Sequence, residues 1–206
     1  RIKTKMKKSM PWIRCAGFLV GLAVILGICD FCFAPSGYVR FILHEVNRKD
    51  TQYDTIILGA SHARSAINPE YLDEELGTNT LNLAIPGETV KDAYYLLKDA
   101  CESNDVKTVI MDVDYQYWMD EQPQGYFTEP FICQNITNLK VKTEYLLDNW
   151  DTIDLRNVLV RRLSWDCTWS SVKQNISTKM TEAYREYSIE AAGVDGKVEG
   201  ADGPYI

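Results

Sequence analysis

The longest apolar run lies near the N-terminus. From Cys15 to Ala34 the sequence reads CAGFLVGLAVILGICDFCFA, and Asp30 is its only charge. At 1.5 Å rise per residue, about 20 residues make a helix of roughly 30 Å, the thickness of a bilayer's hydrocarbon core. Arg1, Lys3, Lys5, Lys7, Lys8 and Arg14 precede it without a single acid. The positive-inside rule then predicts a basic cytoplasmic leader over residues 1–14, one transmembrane anchor over 15–34, and the rest of the chain on the far side of the cell membrane. The other readings of such a run are a cleaved signal peptide and a buried core helix. The run is long for a signal peptide and ends in Cys32-Phe33-Ala34 rather than in a small-x-small site. Leu26-Gly27-Ile28-Cys29 has the outline of a lipoprotein box, but Ile28 is bulky for that position.

Residues 35–53 (PSGYVRFILHEVNRKDTQY) mix apolar and charged positions, as expected of a membrane-proximal connector with some helical character. Asp54 to Ser61 (DTIILGAS) is then an Ile-rich run ending in small residues, the pattern of a buried strand. Pro69 to Leu76 reads as a short helix with proline in its first turn, acids near its start and Gly77 closing it. Thr80 to Ile85 (TLNLAI) predicts a second strand, stopped by Pro86-Gly87. A helix follows from Thr89 to about Ser103, with Val90, Ala93, Tyr94, Leu97 and Cys101 spaced for one buried face. Lys107 to Val113 (KTVIMDV) supplies a third strand. Strands alternating with helices at this spacing predict parallel strands joined by crossover helices, an α/β layered sheet.

Composition narrows the picture. The 206 residues carry a net charge of −7 although the leader is wholly basic, so the body is more acidic than the total implies. Such a body offers no electrostatic footprint for nucleic acid. Of six cysteines, Cys15, Cys29 and Cys32 belong to the apolar run, leaving Cys101, Cys133 and Cys167. Three is odd, and none has CxxC or Cys/His ligand spacing; buried thiols, or one bridge with a spare, are expected rather than a metal site. No cofactor fingerprint or internal repeat is present. Asn135-Ile-Thr and Asn175-Ile-Ser match glycosylation acceptors and are read as chance.

Ligands of parallel sheets bind beyond the carboxyl ends of the strands. Here those ends are Gly59-Ala60-Ser61-His62, Pro86-Gly87-Glu88-Thr89 and Asp112-Val113-Asp114. Small residues at a strand-to-helix turn let a hydroxyl stand clear of the backbone beside free amides, which makes Ser61 a candidate nucleophile. The plainer reading is that Ser61 caps the turn after it.

The stretch DTIILGASHARSAINPEYLDEELGTNTLNLAIPGETVKDAYYLLK resembles the opening half of a bacterial SGNH (GDSL-like) hydrolase domain. It is most similar to the membrane-anchored branch that includes alginate O-acetylation accessory proteins and the D-alanyl-lipoteichoic acid transfer protein. The resemblance covers roughly residues 54–118. It implies a three-layer α/β/α sandwich with a parallel, flavodoxin-like sheet, of which residues 54–206 are the N-terminal part. It further implies Ser61 as nucleophile and the amides of Ser61 and Gly87 in the oxyanion hole; His62, from its place beside the serine, is read as a pocket-lining or structural residue. The family's third block carries an asparagine after strand three, where this chain has Asp114, a carboxylate that donates only when protonated.

The family's Asp-x-x-His block has no counterpart, since the only histidines are His44 and His62. His44 is expected at a surface, and His62 follows the serine directly, where neighbouring side chains diverge. With the Gly- and Asp-rich ending AAGVDGKVEGADGPYI, this predicts that the chain is part of a longer protein carrying the Asp and His. Helical stretches are expected around Lys140–Trp150 and Asp154–Trp165, with QPQGYFTEPF before them as a loop. Arg161, Arg162, Trp165 and Trp169 form either a sugar-stacking cluster or a packing face. Two functions follow. One is an esterase or O-acyltransferase acting on a cell-envelope glycan. The other is a non-catalytic tether for a multispanning membrane-bound O-acyltransferase.

Overall fold

The computed structural model describes residues 2–34, 39–113, 128–153 and 165–187. Asp114, Arg161, Arg162, most of the helix expected over Asp154–Trp165 and the run from 191 to 206 lie outside them. Helix α1 spans Ile2–Phe33. Its segment Pro11–Phe33, 23 residues of mean hydropathy 2.3, is long and apolar enough to cross a membrane and stands clear of the protein core. A helix apolar on every side is covered by an apolar phase or a partner, not by water.

The remainder is mixed α/β. Strands β1 (Thr55–Leu58), β2 (Thr80–Asn82) and β3 (Thr108–Met111) form a parallel sheet in the order β2-β1-β3. Thr55 is level with Thr80 on one side and Thr108 on the other. The intervening helices are α3 (Ser61–Ala66), α4 (Pro69–Leu76) and α5 (Val90–Ser103). Local chemistry sets their ends. Asn68 caps α4 by accepting from the Glu70 amide, Pro69 occupies its first turn, and Gly77 closes it in the left-handed conformation at φ 67°. Thr89 and Asp92 cap α5 reciprocally.

The central strand is buried on both faces. Ile56 and Leu58 join a large cluster with Leu81, Leu83, Leu96 and Tyr145, whereas Ile57 joins a second with Ala63 and Ala84. The larger cluster also takes in Phe41, Ile42, Leu43 and Val46, in and just after helix α2 (Val39–Glu45), so the packed unit draws on the segment read as a connector. Strand β3 is a largely exposed edge.

Helix α5 buries only part of the face its apolar spacing predicts: Ala93 is buried and Leu97 packs against the core, but the inward side is centred elsewhere. Val90, Tyr94 and Cys101 are exposed, and Asp92, Ala93, Tyr95, Leu96, Asp99 and Ala100 are buried. The two aspartates can be inside because each has donors waiting. Tyr145 Oη donates to Asp92 Oδ1 at 2.6 Å, and Asn47 Nδ2 donates to Asp99 Oδ2 at 2.8 Å. Burial still raises both carboxyl pKa values despite those bonds.

Helices α6 (Thr128–Asn135), α7 (Leu139–Asp148), α8 (Trp169–Lys179) and α9 (Glu182–Glu186) complete the described residues. Residues 128–131 of the expected loop are therefore helical, with Pro130 tolerated in the first turn of α6. All six cysteines are free; Cys133 is buried, and Cys101 and Cys167 are exposed.

Helix α8 runs against the end of α1. Lys179 Nζ donates to the carbonyls of Phe31 (2.7 Å), Asp30 (3.4 Å) and Ala34. Asn175 Nδ2 reaches the Cys32 carbonyl at 3.2 Å, the Asp166 amide reaches that of Phe33 at 2.9 Å, and Trp165 Nε1 donates to Asp30 Oδ1 at 3.0 Å. The carbonyls a helix leaves open at its C-terminus are met by donors more than 130 residues later in the chain.

Candidate functional site

The strand ends predicted to carry the site do converge. The Ile85 amide donates to the Gly59 carbonyl at 3.0 Å, and the Asp112 amide to the Leu58 carbonyl at 3.0 Å, so the ends of β2 and β3 flank the end of β1. Gly59 sits at φ 149°, and a Cβ there would lie 2.6 Å from the Ala63 Cβ and 2.8 Å from the Asp112 Cβ. Only glycine fits, and its absence of side chain lets α3 begin immediately against the sheet.

Ser61 is the first residue of α3 and is exposed, and His62 beside it is exposed as well. The cap position belongs to Ala60, which makes no side-chain capping bond. Ser61 is thus presented outward from a turn whose path is set by close packing, the arrangement a nucleophilic hydroxyl requires. On the next strand, Gly87 holds φ 77° and is half-buried in the turn between Ile85 and α5.

Two residues that position this turn went unrecognised in the sequence. Asn82, buried in β2, donates through Nδ2 to the Ala63 (3.2 Å) and Ile67 (3.3 Å) carbonyls, and its Oδ1 accepts from the Ala84 amide at 3.0 Å. It ties α3 to the sheet; the signal was a lone amide inside the apolar strand TLNLAI. Glu88 is the other. Its carboxylate folds back so that Oε2 accepts from the Ile85 amide at 3.0 Å, and Gly59 also donates to the group through its backbone. Its Oε1 is buried with no hydrogen-bond partner among the described residues. Desolvation, with the nearby Asp92 charge adding to it, raises its pKa well above the ordinary carboxylate value.

His44 lies elsewhere, in α2, stacked on the Tyr187 ring at 3.8 Å, and the Arg40 guanidinium lies 4.1 Å from that same ring. Burial, then the Arg40 charge, lower its pKa. Of the Arg and Trp cluster, Trp165 packs against Phe33 and Trp169 is exposed at the start of α8.

No family model, no curated protein and no solved structure matches this chain.

Proposed function

We propose that this chain is anchored in the cell membrane by α1 with its N-terminus cytoplasmic, and that its outer part belongs to an SGNH-like serine esterase or O-acyltransferase acting on a cell-envelope polysaccharide. The observation that carries the reading is Ser61, exposed at the start of α3 on a turn that Gly59, Asn82 and Glu88 hold against the ends of three parallel strands. The two clusters on opposite faces of β1 support the three-layer form of the fold.

In this reading the Ser61 hydroxyl attacks the carbonyl carbon of an acyl ester. The amides of Ser61 and Gly87 receive the developing oxyanion, and the alcohol leaves with the proton the serine gave up. A glycan hydroxyl, or water, then takes the acyl group from the serine ester. The proton needs a base. His44 is committed to its stack with Tyr187, and consecutive helical residues diverge by about 100°, which turns His62 away from Ser61. The reading therefore assigns the base to an Asp-x-x-His pair outside these residues. A non-catalytic tether for a multispanning O-acyltransferase needs no base at all, and on this point the two functions divide.

The test is release of p-nitrophenol from its acetate ester by the product of the complete reading frame, compared with Ser61→Ala. Release that falls to the buffer rate in the variant supports the acyl-transfer reading. Equal rates from two folded proteins remove it and leave the tether.

A further inference from the structure

Helix α8 carries a surface that neither the fold nor the serine site uses. At 100° per residue, Trp169, Lys173, Ile176 and Met180 fall on one stripe about 60° wide, with Met180 just past the helix end. All four are exposed, Trp169 to 82%, Met180 to 66% and Ile176 to 37%. The far side is polar: Ser170, Gln174, Ser177 and Thr178. A helix with a bulky apolar stripe, one lysine able to extend past it and an uncharged polar back is built for a boundary between an apolar and an aqueous phase.

What covers the stripe follows from where α8 is fastened. Its buried edge, Asn175 and Lys179, lies roughly 90–130° around the helix from the stripe and is bonded to the carbonyls of Asp30, Phe31, Cys32 and Ala34. These are the last residues of the apolar helix, where Ile28 and Phe31 are still exposed. Lys179 Nζ also lies 5.5 Å from the centre of the Phe31 ring. The stripe thus begins within a turn of the point at which the membrane-spanning segment ends.

We infer that α8 lies in the headgroup layer of the bilayer that α1 crosses, with Trp169, Ile176 and Met180 set into the acyl boundary and Lys173 reaching the phosphates. Tryptophan at that depth has its ring in the apolar zone and its N–H in the wet one. The inference rests on the reading of α1 as a membrane span, and the experiment separates the two.

The full chain is labelled with fluorotryptophan and placed in nanodiscs of phosphatidylcholine and phosphatidylglycerol containing doxyl-labelled phosphatidylcholine. Fluorine resonances are assigned with Trp12→Phe, Trp150→Phe and Trp169→Phe, conservative changes at exposed positions. Trp12, at the start of the span, reports the anchor, and Trp150, 65% exposed and remote in sequence from the span, reports adsorption. The expected result is that Trp12 and Trp169 lose most of their intensity to the nitroxide and Trp150 keeps its own. Trp12 broadened with Trp169 as sharp as Trp150 overturns the interfacial helix while leaving the anchor intact. Trp12 left sharp removes the anchor and the inference with it. Equal broadening of Trp150 and Trp169 means adsorption of the whole body and also overturns it.

Discussion

Ser61 and Lys179 mark two junctions where this chain holds one side chain in one place, and it does so by different means. At Ser61 the constraint is steric: Gly59 leaves no room for a Cβ between Ala63 and Asp112, and the hydroxyl itself is exposed. At Lys179 the constraint is polar: a buried ammonium gathers the open carbonyls of another helix. A position held by packing tolerates no added atom, whereas a position held by hydrogen bonds tolerates no lost one. The serine can therefore be changed freely although its surroundings cannot; for the lysine the side chain itself is the structure.

That contrast orders the expected effects. Gly59→Ala brings a methyl within 2.6 Å of Ala63 at a backbone conformation hostile to L-residues, and is expected to cost about 3 kcal/mol or more, read from denaturant unfolding in detergent. Wild-type stability in that variant would mean that α3 can shift, ending the steric account. Lys179→Met removes the lysine donor from the Phe31 and Ala34 carbonyls and is expected to cost about 1.5–3 kcal/mol, with faster amide exchange at Asp166, which is bonded to the same turn.

Glu88→Gln sharpens the comparison, because Glu88 belongs to the steric junction but carries a charge. Its folded pKa is raised, so the stability it contributes is complete below the unfolded value and is lost as pH rises through the folded one. Unfolding measured at several pH values should show wild type losing ground to Glu88→Gln from mildly acidic to alkaline pH; parallel curves would mean that the carboxyl is not desolvated. The smallest effect belongs to Ser61→Ala, which removes one exposed hydroxyl and should move unfolding by less than about 0.5 kcal/mol, whatever it does to ester hydrolysis.

The parts legible in the sequence are those whose causes are local. The three strands, the Asn68-Pro69 start and Gly77 end of α4, the Thr89 start of α5 and the prominence of Ser61 all follow from residues within a few positions of one another. The inner face of α5 is not legible locally, because Asp92 and Asp99 look like surface residues until Tyr145 and Asn47, 53 and 52 positions away, supply their donors. Asn82 and Glu88 each bond a backbone amide two or three residues away, but what makes them positioning residues is non-local: the Ala63 and Ile67 carbonyls for Asn82 and the Gly59 backbone for Glu88, which only the assembled sheet brings near. The Trp165 and Trp169 pair had two readings, and the structure separates its members, one against Phe33 and the other facing out.

The bond between Lys179 and Ala34 closes 145 residues of chain, which gives the protein a built-in order of assembly. At about 5–20 residues per second, a ribosome takes roughly 7–30 seconds to make the interval. Throughout that time α1 exists with its last carbonyls served by water or headgroups, and the sheet with its serine turn is complete before α8 is made. Docking of α8 is then a late, non-local step, slow in the way that contacts of high sequence separation are slow. A nascent chain stalled ahead of residue 165 would present the sheet complete and the end of α1 without the donors that cover it.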